Sequence, residues 1–351
     1  MTSKKKIVIC LGYPPLQQES YVRRLQAIDP CIEVVELPVD LGTETNDIPP
    51  HEPHEEPPAW AASVAEERRL ALEQAEVMVA LHVSSDLMRH APNLRWLQGI
   101  GAGVDQFVAA GVTRAQTIVT NASGVSAGSM SEFVIGRLLQ IWKRFPEMEE
   151  HQRAHQYIRT YGRSFVGSVV GIVGMGSIGR AVAVRAKAMG VKILGLKRSG
   201  PQPGPDADLA DQLFGPESLH EMLGQCDAVV VAAPASPETR HMINDESLAA
   251  MKPGCVLVNV ARGSLVDSAA LLRAMESGHI SAAALDVFEE EPLPADNLLW
   301  DTENLYMSAH SSVSVDRYLD DIFDLFEGNV IRYVKGETLH NAVDMKALGF
   351  K

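Results

Sequence analysis

Short apolar runs and longer amphipathic segments alternate along most of the chain. Runs rich in Val, Ile and Leu predict strands, and segments whose apolar residues recur every three or four positions predict helices. In the first part of the chain, strands are predicted at residues 6–11, 34–37, 77–81, 94–101 and 117–121, and helices at 17–28 and 59–74. This alternation predicts the α/β class, with a parallel sheet covered by helices.

The second part of the chain repeats the alternation with more strongly apolar strands. Strands are predicted at residues 169–173, 191–196, 228–233, 256–260 and 282–287, and helices at 178–189 and 265–277. Strands buried on both faces read as continuous apolar runs, so these strands are assigned to one parallel sheet. Their carboxyl ends share one edge of that sheet, and the residues that follow them are therefore candidates for a ligand site.

A long amphipathic helix is predicted between the two parts. Its start is assigned to Ser129, which together with Glu132 fits the capping-box pattern. Its apolar positions recur at helical spacing and are Met130, Phe133, Val134, Leu138, Ile141, Trp142 and Phe145. A second amphipathic helix, predicted at residues 314–336, is expected to return to the first domain. The long helix lies where a bridge between the two domains is needed, and the first domain boundary is placed near Ser123, shortly before it.

Two glycine-rich turns follow predicted strands. Gly174, Gly176 and Gly179 lie between the strand at 169–173 and its helix. Such a turn lets the backbone approach a pyrophosphate at a helix N-terminus, and the following strand completes a βαβ unit of the usual length, so a dinucleotide site is favoured over a plain turn. The second turn, residues 99–105, would expose backbone N–H groups to a ligand, but by itself it is equally compatible with a plain turn.

The composition is that of an ordinary globular protein. The 351 residues, 46% of them apolar, are enough for two domains. The net charge of -14, from 45 acidic and 31 basic residues, argues against nucleic acid or an anionic membrane surface as the main partner. No apolar run approaches the roughly eighteen residues of a membrane span, and a reducing cytoplasm is the expected location.

Cysteine and histidine positions do not indicate a metal site. The chain has four cysteines, Cys10, Cys31, Cys226 and Cys255. Because they are widely spaced, they are interpreted as small hydrophobic residues and not as a disulfide framework or metal knuckle. His51 and His54 lie in a segment rich in Pro and Glu, residues 42–58, without a third ligand nearby, so a solvated surface loop is favoured over a metal site.

Several ordered motifs resemble those of the D-isomer-specific 2-hydroxyacid dehydrogenase family, which includes glyoxylate/hydroxypyruvate reductases, phosphoglycerate dehydrogenase and formate dehydrogenase. They run over most of the chain at residues 101–105, 119–121, 124–125, 174–179, 258–263, 284–288, 291–294 and 308–310. The resemblance implies a Rossmann-type doubly wound parallel sheet inserted into a flavodoxin-like substrate domain. We assign residues 1–123 and 311–351 to the substrate (catalytic) domain and residues 124–310 to the dinucleotide-binding domain.

The resemblance implies that Arg262, Glu291 and His310 are catalytic. Arg262 would hold the carboxylate of a 2-oxo acid and polarise its ketone, and His310 would donate a proton to the alkoxide. Glu291 would orient the imidazole and favour its protonated form. Taken singly, each residue has a structural alternative, but together, at the ends of predicted strands, they favour catalysis. The family usually has Pro before the histidine; this chain has Ala309, so the loop is expected to be less rigid.

The same resemblance implies the ligand contacts. Backbone N–H groups of Ala102 and Gly103 would bind the substrate carboxylate together with Arg262 and His310. The implied cofactor contacts are Gly174, Gly176, Ser177, Ile178, Gly179, Ala233, Pro234, Val260, Ala261, Arg262, Asp286 and His310. Ser177 and Ile178 would contact the pyrophosphate, and Asp286 would hydrogen-bond the nicotinamide carboxamide.

The residue after the second strand of the βαβ unit indicates which cofactor is used. NAD enzymes usually place an acid there, which binds the adenosine ribose. This chain has Lys197, 18 residues after the last glycine of the turn, followed by Arg198 and Ser199. Because these side chains can pair with a 2'-phosphate, we predict that NADP(H) is preferred and that NAD(H) is possible. The alternative is that Lys197 and Arg198 are ordinary solvated charges and that the enzyme uses both NADP(H) and NAD(H).

The leading hypothesis is an oxidoreductase that reduces a small 2-oxo acid of the glyoxylate/hydroxypyruvate class to the D-2-hydroxy acid. The NADP-type residues and the end of the chain at Lys351 point away from long phosphoglycerate dehydrogenases. The family habit of dimerising predicts a homodimer, with the helix at 130–145 as the candidate contact.

A dinucleotide-sensing binding protein or corepressor of the same fold is the second hypothesis. A third reading takes the glycine turn as an S-adenosylmethionine site, but the acid usual after the second strand is missing.

Overall fold

The computed structural model describes residues 6–37, 59–83, 87–104, 107, 112, 117–314 and 316–344, with the backbone alone at 59–65 and 205. His51, His54 and Asp105, which the sequence singled out, lie outside the described residues. The chain forms two compact units, residues 1–125 with 315–351, and residues 126–314. Residues 311–314, assigned above to the substrate domain, belong to the second unit, because the backbone N–H groups of Ser311 and Ser312 donate to the Asp286 carboxylate.

The first unit is built on a five-stranded parallel sheet. Its strands are β1 (Ile7–Leu11), β2 (Ile32–Glu36), β3 (Val77–Ala80), β4 (Trp96–Gly99) and β5 (Ile118–Thr120), in the order β2-β1-β3-β4-β5. Its helices are α1 (Glu19–Ile28), α2 (Ala59–Gln74), α3 (Leu87–His90) and the C-terminal helix Tyr318–Lys335. This strand order is that of flavodoxin-like folds, as the sequence analysis predicts.

The second unit is built on a seven-stranded parallel sheet. Its strands are β6 (Val169–Val173), β7 (Lys192–Leu196), β8 (Gln212–Phe214), β9 (Ala228–Val231), β10 (Cys255–Asn259), β11 (Ile280–Leu285) and β12 (Leu305–Met307), in the order β12-β11-β10-β9-β6-β7-β8. Its helices are α4 (Ala127–Trp142), α5 (Phe145–Arg153), α6 (Ser177–Ala188), α7 (Pro205–Leu209), α8 (Leu219–Leu223), α9 (Asp245–Ala250) and α10 (Ser268–Glu276). The strand order reverses between β6 and β9, as it does in Rossmann-type sheets.

Burial explains why the central strands form where the apolar runs predict them. Every residue of β9 and β10 is buried, and two apolar clusters cover the two faces of the seven-stranded sheet. Strands β8 and β12 were not predicted, because neither forms a buried apolar run: β8 has one buried residue and β12 has none.

The predicted start and end of the long helix were wrong. The cap of α4 is Ser126, and the Ser129 hydroxyl donates to the Ser126 carbonyl, so Ser129 and Glu132 do not form a capping box. The helix ends at Trp142, because Arg144 takes a left-handed backbone conformation with φ of 57° and Phe145 begins the next helix.

All four cysteines are free, and Cys10, Cys226 and Cys255 are buried, as predicted, whereas Cys31 is half-buried. Burial raises the pKa of the three buried thiols to about 12. They are therefore protonated at neutral pH and pack as small apolar side chains. Across the parts of the chain that the structure describes, no helix has the length and apolarity to cross a bilayer.

Candidate active site

The glycine turn between β6 and α6 is held by close backbone packing. Gly174 has φ of +104°, and a Cβ atom there would lie 2.6 Å from the backbone nitrogen of Ala233. A Cβ at Gly179 would lie 2.1 Å from the Gly174 carbonyl oxygen. At Gly176, by contrast, a Cβ would meet no described atom within 4 Å. Two glycines thus allow the turn to close, and the third leaves an open face at the start of α6.

The first turn of α6 begins at Ser177 and Ile178, the two residues that sequence reasoning assigned to a pyrophosphate. Both are half-buried and follow Gly176 directly. Backbone N–H groups in the first turn of a helix lack intrahelical partners, and the helix dipole favours anions at this end. The open face at Gly176 therefore suits a bound phosphate group.

The basic residues after β7 are not all solvated charges. The Nζ atom of Lys197 pairs with the carboxylate of Asp206, which also accepts a hydrogen bond of 2.5 Å from Nε of Arg180. Asp206 is 2% exposed, and the hydrogen bond from Arg180, followed by the pairing with Lys197, lowers its pKa. Sequence reasoning missed Asp206, because it lies nine residues beyond Lys197 on a short helix with no motif.

Arg198 and Ser199 are exposed next to this cluster. In the loop after β9, the hydrogen bond from the Ser236 hydroxyl and, more weakly, the charge of Arg198 lower the pKa of Glu238. Pro234, predicted at the nicotinamide half, lies on the same loop, and its carbonyl accepts a hydrogen bond of 2.9 Å from Thr239. The end of β7 thus carries more basic than acidic side chains.

The turn after β10 places Arg262 and is organised by Asn259. The Asn259 side chain is 1% exposed; it donates to the Arg262 carbonyl over 3.0 Å and accepts from the Ala261 N–H over 3.0 Å. Nη1 of Arg262 donates to the Ala261 carbonyl over 2.8 Å, and Val260 and Ala261 are buried. Sequence reasoning assigned no role to Asn259, although it lies inside the 258–263 motif.

Gly263 brings the Arg262 turn against the loop that carries Glu291. A Cβ atom at Gly263 would lie 1.8 Å from the carbonyl carbon of Phe288. The N–H of Phe288 donates to Oε1 of Glu291 over 2.9 Å. The turn after β10 and the loop after β11 are therefore in direct backbone contact.

Glu291 and His310 form a pair. Nδ1 of His310 lies 2.8 Å from Oε2 of Glu291, and the His310 side chain is 52% exposed. Its acidic neighbour Glu289 instead lies 2.6 Å from Nε2 of His241. Two carboxylates of the acidic run at residues 289–291 therefore have different partners. Glu291, which the sequence motif indicates as catalytic, is the one that contacts His310.

Asp286 follows β11 directly and is 1% exposed. Its carboxylate accepts hydrogen bonds from the Ser308 hydroxyl at 2.6 Å and from the N–H groups of Ser311 at 2.9 Å and Ser312 at 3.2 Å. Its backbone carbonyl accepts from the N–H of His310 at 2.8 Å. Its predicted bond to a nicotinamide carboxamide stays a prediction, and these contacts to the histidine loop are an addition to it.

Ala102 and Gly103 belong to the first unit, in the loop after β4. The Asn121 side chain donates to the Ala102 carbonyl over 2.7 Å, and the Ala122 N–H donates to the Gly101 carbonyl over 2.8 Å. Ala102 is exposed and Gly103 is half-buried. The loop is thus tied to the end of β5, and its backbone is accessible to a ligand.

Comparison with known proteins agrees with this architecture. Residues 135–312 match the family described as D-isomer specific 2-hydroxyacid dehydrogenase, NAD binding domain. The chain is 33% identical to a glyoxylate reductase of Thermococcus gammatolerans, over 78% of this chain and 85% of that protein. It is 31% identical to a D-3-phosphoglycerate dehydrogenase of Methanocaldococcus jannaschii, over 78% of this chain but only 52% of that longer protein.

A solved structure covers nearly the whole chain. The D-isomer specific 2-hydroxyacid dehydrogenase of Xanthobacter autotrophicus, in complex with NADPH and MES, is 28% identical with a TM-score of 0.78, and the match covers 98% of this chain and 99% of that one.

Proposed function

The chain belongs to the D-isomer-specific 2-hydroxyacid dehydrogenase family of NAD(P)-dependent oxidoreductases, and on that premise we propose that it reduces a small 2-oxo acid with NADPH. The proposed substrates are glyoxylate and hydroxypyruvate, and the product is the D-2-hydroxy acid. The observation that carries the proposal is the 2.8 Å contact between His310 and Glu291 at the sheet edge that also bears the glycine turn and Arg262. A nicotinamide dinucleotide supplies the hydride when it is bound.

The residues at this edge suit such a cofactor. The open face at Gly176, with the N–H groups at the start of α6, would hold the pyrophosphate. Ala233, Pro234, Val260 and Ala261 would flank the nicotinamide half, and Asp286 would accept a hydrogen bond from its carboxamide. This fit rests on the shape of the glycine turn, since a side chain at Gly176 would project into the open face.

The three catalytic side chains have different tasks in the proposed reaction. The guanidinium of Arg262 binds the substrate carboxylate and polarises the ketone. His310 donates a proton from Nε2 to the alkoxide oxygen, because Nδ1 is engaged by Glu291. Glu291 holds the ring in one orientation through a charge-assisted hydrogen bond.

The preference for NADPH rests on the cluster after β7. Two cations, Lys197 and Arg180, share the single carboxylate of Asp206, so the cluster keeps a net positive charge, and Arg198 adds a charge that Glu238 offsets in part. A 2'-phosphate is attracted by this excess, whereas the acid that would bind the ribose of NAD is replaced by Lys197. NADH remains a possible second cofactor, since Asp206 offsets part of the charge.

Steady-state kinetics with a panel of 2-oxo acids and both nicotinamide cofactors test the proposal. We expect turnover with glyoxylate or hydroxypyruvate, and a higher kcat/KM with NADPH than with NADH. His310→Ala should lower kcat by about 10² to 10⁴, and His220→Ala, which alters an exposed histidine of the same unit, should leave kcat unchanged. Binding of NADPH without turnover of any acid would favour a dinucleotide-sensing protein, and equal or better kcat/KM with NADH would contradict the cofactor preference.

We also propose a homodimer, with a contact different from the predicted one. The apolar residues of α4, among them Val134, Leu138 and Trp142, pack into the core of the second unit. Large apolar side chains are instead exposed after α5, where Tyr157 is 98% exposed and Tyr161 is 76% exposed. Sedimentation velocity should give a dimer that the double change Tyr157→Ser and Tyr161→Ser weakens; a wild-type monomer would refute the proposal.

A further inference from the structure

The loop that carries His310 adopts a conformation that needs support. We define the histidine loop as residues 308–312. His310 has φ of +49°, a left-handed conformation that few residues other than glycine adopt. Such a residue persists when the structure around it determines its position. Ala309 is exposed and, unlike proline, does not restrict its own φ angle, so the restraint must come from elsewhere.

Asp286 supplies that restraint through four hydrogen bonds. Its carboxylate accepts from the Ser308 hydroxyl and from the N–H groups of Ser311 and Ser312, at 2.6, 2.9 and 3.2 Å. Its carbonyl accepts from the N–H of His310 at 2.8 Å. The residues on both sides of His310 are therefore bonded to one buried side chain, which is anchored at the end of β11.

The charge of this buried carboxylate is compensated locally. A carboxylate that is 1% exposed is unfavourable unless donors or a cation face it. Arg137 is half-buried on α4; burial lowers the pKa of Arg137, and the charge of Asp286 opposes that change. Nη2 of Arg137 also donates to the carbonyl of Met307 at 3.1 Å, one residue before the histidine loop. Arg137 thus holds the start of the loop through a hydrogen bond and adds a positive charge to the surroundings of Asp286.

We propose that Asp286, together with Ser308 and Arg137, is a positioning unit that fixes the imidazole of His310 for proton transfer. The proposal rests on the proposed function, because His310 is the proton donor in that reaction. It differs from the predicted contact between Asp286 and the nicotinamide carboxamide, because it acts through the loop backbone. Ser308 separates the two roles, since it bonds to Asp286 and has no assigned contact with the cofactor.

Ser308→Ala is the central test, because it removes one hydrogen bond and keeps the loop backbone. We expect kcat to fall about tenfold, the cost of one hydrogen bond to a charged group, while KM for NADPH changes less than about twofold. Ser308→Thr keeps the hydroxyl and should restore kcat. Ser281→Ala is the matched control, because Ser281 lies on β11 and its hydroxyl donates to the backbone carbonyls of Gly254 and Cys255.

Hydrogen exchange of the amides at residues 308–312 supplies a readout that does not depend on activity. Exchange there should be faster in Ser308→Ala and in Asp286→Asn than in the wild type, and unchanged in Ser281→Ala. If the wild type reduces no 2-oxo acid, the proposed function fails, while the exchange measurement still tests whether Asp286 restrains the loop. If Ser308→Ala has the exchange rates and the kcat of the wild type, the positioning role is wrong. This test does not depend on whether Asp286→Asn folds.

Discussion

The glycine turn after β6 and the histidine loop after β12 are held in opposite ways. The glycine turn closes because side chains are absent, since Gly174 packs against Ala233 and Gly179 packs against Gly174. The histidine loop is held by polar side-chain contacts, chiefly those of Asp286. A site that binds a large cofactor needs backbone that can be approached closely, and a site that transfers a proton needs one ring in a fixed orientation. The two regions can therefore be perturbed independently.

The largest effect should come from the histidine loop. Removing the proposed proton donor by His310→Ala should lower kcat for glyoxylate reduction by about 10² to 10⁴, the usual contribution of general acid catalysis. The dissociation constant of NADPH, measured by fluorescence titration, should change much less than kcat, because the glycine turn is untouched and His310 is only one of the implied cofactor contacts. If His310→Ala weakened NADPH binding as much as it lowered kcat, the glycine turn and the histidine loop would not act independently.

The next effect should come from the glycine turn. Gly179→Ala places a Cβ atom 2.1 Å from the Gly174 carbonyl oxygen, so strand β6 and helix α6 must move apart. We expect a loss of about 3 kcal/mol in the free energy of unfolding, at the upper end for overpacking, together with loss of NADPH binding. Denaturant unfolding followed by circular dichroism would measure it.

Gly176→Ala is the matched control for this change. Its Cβ atom meets no described atom within 4 Å, so stability should be retained while NADPH binding weakens. Equal stability losses in the two variants would contradict the different roles given to the two glycines.

A smaller effect is expected at Glu291. Glu291→Gln keeps a hydrogen-bond acceptor for His310 but removes the charge, and kcat should fall about tenfold. Glu289→Gln is the control, because Glu289 contacts His241 and the N–H of Ser268 and does not contact His310. If the two variants lose the same activity, the assignment of Glu291 within the acidic run is wrong.

The smallest effect should come from the cluster after β7. Asp206→Asn removes the carboxylate that Lys197 and Arg180 share, which raises the positive charge near a 2'-phosphate. The ratio of kcat/KM for NADPH over NADH should rise about threefold, in the range of a surface ion pair. A falling ratio would indicate that Asp206 chiefly holds Lys197 in place, and Asp208→Asn, on the exposed side of the same helix, should leave the ratio unchanged.

Asp206→Asn should also change how the free energy of unfolding depends on pH. The hydrogen bond from Arg180 and the pairing with Lys197 hold the pKa of Asp206 below its ordinary value of 3.8. Ionised Asp206 therefore stabilises the fold above about pH 3.8, and this contribution is lost as the pH falls through its lowered pKa. Unfolding curves of the wild type and Asp206→Asn should differ from pH 5 to 7 by about 1 kcal/mol and converge in more acidic solution.

The sequence by itself determined the features that are local or periodic. The buried strands β6, β9 and β10 are continuous apolar runs, and the glycine turn lies directly between a strand and a helix. The α/β class, the two-domain arrangement of strands and the family could therefore be predicted. Arg262, Glu291 and His310 could be predicted as catalytic residues because each lies in a short motif. The motifs do not indicate which of their atoms are in contact.

Only the tertiary structure decided which of those atoms meet. The pairing of Lys197 with Asp206, the packing of Gly263 against Phe288 and the bonds from the histidine loop to Asp286 all join residues on different elements. Strands β8 and β12 form by pairing with the distant strands β7 and β11. The cap at Ser126 depends on the way the chain enters α4. Hydrophobic periodicity reports which face of an element is buried, whereas a hydrogen bond between distant residues depends on how the elements are packed, and no local pattern records that.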